Sequence, residues 1–147
     1  MPANNHSSHI ISHCLWRDDS EILLAVRIAV FVAEQGVPLA LEVDHHDARA
    51  DHWLVRSADG AAIGCARLLE DGKIGRLAVL KQWRGRGIAT QLMAAIEAFA
   101  RRRGCTKLQL GAQLQALEFY RRLGYREYGK PFDDAGIAHM NMVKELQ

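Results

Sequence analysis

The 147 residues carry 19 lysines and arginines against 17 aspartates and glutamates, a net charge of +2, and 49% of them are hydrophobic. That length suits a single globular domain over residues 1–147 that buries a full core without staples, and so small a net charge argues against bulk nucleic-acid binding. No apolar run approaches the ~18 residues of a membrane span and the polar N-terminus does not resemble a secretory signal, so a cytoplasmic protein with no membrane partner is expected.

Residues 1–8 are polar and expected to be disordered, and His6, His9 and His13 are too loosely placed to suggest a metal. Residues 9–16 read as a first strand. Asp18, Asp19 or Ser20 can cap a helix over residues 21–34, where Ile22, Val26, Ala29, Val30 and Ala33 recur at helical spacing. Gly36 and Pro38 end it. Residues 37–51 form an acidic loop in which Glu42, Asp44, Asp47 and Asp51 mingle with His45, His46 and, just beyond, His52. Acids and imidazoles gathered in one loop suggest a site, although a solvated run of charges has the same composition. Cys14, Cys65 and Cys105 lack metal or disulfide spacing and read as small buried hydrophobes.

Residues 53–57 and 62–69 are expected strands joined at Asp59-Gly60, and a third strand, 74–80, follows across Asp71-Gly72. A two-residue loop there sets Glu70 opposite Lys73, Leu69 opposite Ile74 and Arg67 opposite Arg76. Like charges so placed repel unless something negative lies between them. Arg67 and Arg76 therefore either splay apart into solvent, pair with the acidic loop, or hold an acceptor's carboxylate or phosphate.

Residues 79–90 join the third strand to an amphipathic helix over 87–103, and the junction holds Arg84, Gly85, Arg86 and Gly87. Glycine lets the backbone turn sharply and approach a ligand. The first helical turn presents unpaired N–H groups and the positive end of the helix dipole, which together hold a phosphate. The third glycine of a dinucleotide fingerprint and the lysine of a Walker loop are both absent. Arg101, Arg102 and Arg103 precede Gly104 at the helix end, where cations favour the dipole. A strand over 106–112, a short helix over 116–123 and two closing strands over 125–129 and 137–143 complete the chain. The result is an α/β order with a central mixed, mostly antiparallel sheet flanked by helices and one parallel pair around the main helix.

Leu77-Ala-Val79 followed by Arg84-x-x-Gly87-x-Ala89 resembles the acyl-CoA pyrophosphate loop of the GNAT N-acetyltransferases, and Gln113-x-x-Ala116-x-x-Phe119-Tyr120-x-x-x-Gly124-Tyr125 is similar to a later segment of that family. Arg27-x-x-Val30-Phe31-Val32-x-Glu34-Gln35, Glu42-x-Asp44 and Asp134-x-Gly136-Ile137-x-His139 resemble its ElaA-like bacterial branch. The resemblance implies the GNAT acyl-CoA N-acyltransferase fold, acetyl-CoA as cosubstrate and no metal. It places the cofactor against Leu77, Ala78, Val79, Arg84, Gly85, Arg86, Gly87, Ile88, Ala89, Thr90 and Gln113, with Tyr120 near the sulfur as the candidate acid. The acceptor is expected to be a small-molecule amine or a peptide, with Arg67, Arg76 and His139 as substrate-binding candidates; a homodimer stays open.

Acetyl transfer to an amine requires a held cofactor, a polarised carbonyl, a deprotonated amine and a proton for the leaving thiolate. Glu42, Asp44, His52 and His139 can each serve as base, and Glu42 is favoured for its place in the acidic loop. A non-catalytic acyl-CoA sensor is the alternative function, since fold alone does not establish activity.

Overall fold

The computed structural model describes residues 8–147, so His6 and nearly all of the segment expected to be disordered fall outside the described residues. Seven strands form one sheet in the order β1-β2-β3-β4-β5-β7-β6: β1 (His9–Leu15), β2 (Asp51–Ser57), β3 (Ala62–Leu68), β4 (Lys73–Val79), β5 (Lys107–Gln113), β6 (Arg126–Asp134) and β7 (Ile137–Glu145). All neighbours are antiparallel except β4 and β5.

Alternation along the strands decides which helix each face receives. Trp53 and Val55 of β2 pack with Ile63, Ile74, Leu108 and Met142 beneath α2 (Ile88–Arg102), which buries Ile88, Leu92, Met93, Ile96 and Ala100 as one stripe. Leu54, between Trp53 and Val55, points the other way. It joins Cys65, Ala78 and the Leu23, Val26 and Val30 stripe of α1 (Trp16–Arg27) and its continuation. The short α3 (Leu117–Arg122) lies on the α2 side, where Phe119, Tyr120 and Leu123 cover the core edge.

Three local features differ from the sequence expectation. The first helix begins at Trp16, five residues early, because residues 16–18 already turn before Asp19 departs from helical angles (φ −128°, ψ 20°). It ends as a π-helical segment, Ile28–Glu34. Strand β6 runs to Asp134, through Pro131, which an edge strand tolerates because one side of its ladder is unpaired.

The third difference is register. Gly72 (φ +90°) is the left-handed residue of a three-residue loop closed by the Leu69–Lys73 pair, with the Gly72 N–H donating to the Leu69 carbonyl at 3.0 Å. Pairing shifts by one, so Leu68 faces Ile74 and Arg67 faces Gly75 instead of Arg76. A bulge between Cys65 and Arg67 restores the phase, with Arg76 opposite it in a left-handed conformation (φ 52°), so Cys65 faces Ala78. The shift serves packing: the Gly72 carbonyl accepts from Gln109 N–H of β5 at 3.0 Å, and a Cβ on Gly72 would lie 2.6 Å from the Lys107 carbonyl.

Candidate active site

β4 and β5 pair only at Lys73 with Gln109 and Ile74 with Leu110. Beyond these residues the strands part. The opening is a cleft of about 1020 Å³ lined by the outer half of β4, the start of α2, α3, the acidic loop and the β6–β7 hairpin. From Gly75 to Val79, β4 remains bonded to β3 on one edge and has no strand partner on the other. Such an edge can accept an extended ligand as an added strand. Leu77, Ala78 and Val79 line it there.

At the head of the cleft, Gly85 (φ +78°) and Gly87 (φ +82°) turn the chain into α2, and a Cβ on either would meet no atom within 4 Å. The α2 N-terminus has no side-chain cap. The N–H groups of Ile88, Ala89 and Thr90 lie in its first turn, and Gln91 is the residue that bonds back to Gly87, at 3.0 Å. Gly85, Gly87, Ile88, Ala89 and Thr90 all line the cleft. The Ile88 side chain is buried, so its contribution there is its backbone.

The arginines of this loop have other engagements. Arg84 forms a two-bonded fork with Glu34 at 2.6 and 2.7 Å and donates its Nε–H to the Val79 carbonyl at 2.9 Å. This bond holds the Glu34 carboxyl below its ordinary range. Arg86 lies 4.6 Å over the Trp83 ring and donates to the Gln82 carbonyl. The loop's capacity for an anion therefore rests chiefly on its backbone N–H groups. Gln113 donates its amide to Gln35 at 3.0 Å, tying the end of β5 to the segment after the first helix.

Tyr120, from α3, lines the cleft, and its hydroxyl has no hydrogen-bond partner among the described residues. Burial pushes this phenol up to about 12, so it stays protonated at neutral pH and can act as a donor. Tyr125 meets its ring edge-on at 6.1 Å. Tyr125 is itself held by a 3.1 Å bond to Glu97, which also takes Lys144 at 2.9 Å.

The acidic loop supplies the far wall. Arg27 is 1% exposed and forks onto Asp47, equally buried, at 2.9 and 3.0 Å; it also donates to the Glu42 carbonyl at 3.2 Å. Arg67 bonds Asp44 at 2.8 and 2.9 Å and Asp47 at 2.9 Å. Arg76 spans from β4 to the Leu41 and Glu42 carbonyls at 3.1 and 3.2 Å and to Asp44 at 3.4 Å. Three guanidinium groups thus interleave with Glu42, Asp44 and Asp47. Arg67 and Arg76 converge on the acidic loop, although they are not opposite one another in the ladder.

The four sequence-derived base candidates separate in this environment. Glu42, Asp44 and His139 line the cleft, whereas His52 is fully buried beneath the loop with Nε2 on the Asp47 carbonyl at 2.9 Å and is not part of the lining. Hydrogen bonds from Arg67 hold Asp44 far below the usual carboxylate range, making it a weak base. Burial raises Glu42 above its ordinary value, against the opposing charge of Arg76. Glu42 Oε2 is sealed in with no hydrogen bond, 3.5 Å from Arg76 Nε. His139 donates Nδ1–H to the Ile137 carbonyl at 2.7 Å and stacks on Phe132.

Arg27, Asp47, Gln35 and Phe132 also build the site; Arg27 and Gln35 fall in the ElaA-like segment and Asp47 in the acidic loop, but the sequence assigns none of them a role, and nothing there marks Phe132. The available signal for Arg27 is a charge between Leu23, Val26 and Val30 inside an apolar stripe. Among the described residues no group of three or more His, Cys, Asp or Glu could hold a metal ion, and no helix is long and apolar enough to cross a membrane.

The sequence profile of the acetyltransferase (GNAT) domain matches residues 19–146. Over 124 residues the chain is 39% identical to the uncharacterized N-acetyltransferase YjcF of Bacillus subtilis (strain 168), an alignment covering 82% of this chain and 88% of YjcF. An acyl-CoA N-acyltransferase from Pseudomonas aeruginosa superposes with a TM-score of 0.83 at 29% identity, covering 93% of this chain and 99% of the other. Escherichia coli ElaA gives a TM-score of 0.83 at 26% identity over 92% of this chain and 99% of its own. With the parted β4 and β5 and the glycine turn into α2, these similarities establish that the chain belongs to the GNAT acetyltransferase family, with the fold of its ElaA-like members.

Proposed function

We propose that the protein transfers the acetyl group of acetyl-CoA to a primary amine by direct attack in a ternary complex. The observation that carries this is the convergence, in one cleft, of the unpaired β4 edge, the bare α2 N-terminus, the Tyr120 hydroxyl and the buried Glu42 carboxylate. The residues fit the cosubstrate, because two left-handed glycines with open space around them lead into a helix whose first-turn N–H groups are unpaired, an arrangement suited to a pyrophosphate. Acetyl-CoA, when bound, supplies the acetyl thioester.

The remaining chemistry belongs to the chain. The N–H groups of Ile88 to Thr90 hold the pyrophosphate, and the free edge of Leu77 to Val79 holds the extended arm and polarises the carbonyl. Glu42 takes a proton from an amine of ordinary pKa ~10, and Tyr120 gives one to the departing sulfur. The test is calorimetric binding of acetyl-CoA together with free-thiol release across an amine panel. Saturable binding with no amine-dependent thiol release points to a sensor; no binding overturns the proposal.

Two variants test the proton transfers. Tyr120→Phe keeps the ring and removes the donor, so kcat is expected to fall by about tenfold or more while acetyl-CoA affinity holds. An unchanged kcat, measured where chemistry limits the rate, would leave Tyr120 a packing residue. For Glu42 the active form is the carboxylate, so kcat/KM is expected to drop as pH is lowered through a value above the ordinary 4.5. Glu42→Gln should remove this acid limb and most of the rate; a limb that survives assigns the base elsewhere, with His139 next in line.

A further inference from the structure

We infer that the acceptor is a primary amine carried on an aromatic body and lacking a carboxylate or phosphate, seated between Phe132 and the Glu42 wall. This specificity rests on the acetyl-transfer function proposed above.

The apolar half of the seat is built on β6. Phe132 is 36% exposed, lines the cleft and lies parallel to His139 at 5.6 Å, 24° between planes. The ring reaches across β7 to lie over Gly111 of β5, where a Cβ would come within 3.2 Å of its Cζ. A Cβ at 111 would require the ring tip to shift by a few tenths of an ångström. Leu41, 53% exposed, lines the same cleft from the acidic loop. An exposed aromatic face with an aliphatic neighbour across a groove matches a flat apolar ligand.

The polar half selects charge. An acceptor carboxylate would need an uncommitted cation, and the arginines here are committed. Arg67 spends both terminal nitrogens on Asp44 and Asp47. Arg76 is drawn to two loop carbonyls and to Asp44 and Glu42. Lys73 also lines the cleft, and the same lining includes Asp71 and Asp134. Glu42 Oε2 is sealed against Arg76 without a hydrogen bond, and neither Glu42 oxygen has a hydrogen-bond partner among the described residues. The three arginines and three carboxylates of this wall balance one another, so an acceptor carboxylate finds no spare guanidinium, whereas an ammonium can supply the hydrogen bonds that the Glu42 carboxylate lacks.

Calorimetry on the CoA-saturated protein with 2-phenylethylamine, L-phenylalanine and ethylamine separates these features, because the second adds only the carboxylate and the third removes only the ring. Phenylethylamine is expected to bind at least about tenfold more tightly than either, and Phe132→Ala should remove about tenfold of that affinity without altering CoA binding, with a smaller loss in Gly111→Ala, which only shifts the ring tip. In turnover, the same order should appear in kcat/KM. Equal or tighter binding of phenylalanine, or an unchanged affinity in Phe132→Ala, overturns the inference. If CoA binds and no amine does, the acceptor assignment falls while the cofactor site stands. If CoA itself does not bind, the acetyl-transfer proposal fails first.

Discussion

Gly87→Val is expected to abolish CoA binding in a protein that still folds. Gly87 sits at φ +82° as the residue before a 15-residue helix, and no atom lies within 4 Å of a Cβ built there. The valine therefore meets no steric clash within the protein. Its stability cost comes from holding a β-branched residue in the left-handed region, roughly 1–3 kcal/mol. With the cofactor seated as proposed above, the side chain crowds the approach to the Ile88, Ala89 and Thr90 N–H groups, so the loss of affinity should exceed the loss of stability: at least about 100-fold, or ~2.7 kcal/mol. Gly87→Asn separates the two effects, because asparagine tolerates the left-handed conformation while still placing atoms in that approach. Its melting temperature should stay near the parent's and its CoA affinity should fall with that of Gly87→Val. Arg84→Ala should weaken binding less, since that guanidinium is forked onto Glu34. A valine variant that titrates with CoA like the parent would remove this turn from the cofactor site.

The largest effect on stability is expected at Asp47, where an Ala substitution should lower the unfolding free energy by about 3–5 kcal/mol. Asp47 is 1% exposed and accepts from both Arg27 and Arg67, so its removal leaves two buried guanidinium groups short of their counter-ion. Arg27→Met should cost less, because Asp47 keeps Arg67 and the methionine fills apolar space. Denaturant midpoints measure both; an Asp47→Ala loss below about 1 kcal/mol would mean the network does not hold the loop. Acid should act in the same direction. The bonds from Arg67 depress Asp44, and for Asp47 the bonds and charges of Arg27 and Arg67 outweigh a burial effect that acts to raise it. Both carboxylates therefore contribute stability that is fully present above their ordinary 3.8 and is lost as pH falls through their lower folded values. Glu42 has the opposite sign. Its raised pKa means that protonation on acidification relieves a buried charge, partly offsetting the loss.

The two predictions rest on parts of the molecule that were legible in the sequence to different degrees. The α2 stripe and the glycine turn are local: helical spacing, a missing Cβ and unpaired first-turn N–H groups follow from residues within a few positions of one another. Pairing of β2, β3 and β4 in order likewise followed from adjacent strands and turn residues. Asp71-Gly72 signalled a hairpin but could not set its register, because aspartate-glycine suits a two-residue loop and a three-residue loop with a left-handed glycine alike. Contact of Gly72 with β5, distant in the chain, favours the second, and the bulge at Arg76 follows from it. The acidic loop could be named as a site, but its pairing could not, since the three arginines that meet its carboxylates come from α1, β3 and β4, which only the folded sheet brings together around the loop. The same holds for Phe132, whose seat over Gly111 exists because β7 inserts between β5 and β6. Sequence determined the elements and the glycine turn into α2, because those depend on local spacing and backbone freedom. Tertiary structure alone decided the partners of Arg27, Arg67 and Arg76 and the seat of Phe132 over Gly111, because charge pairing and aromatic packing depend on distances in space that chain position does not encode.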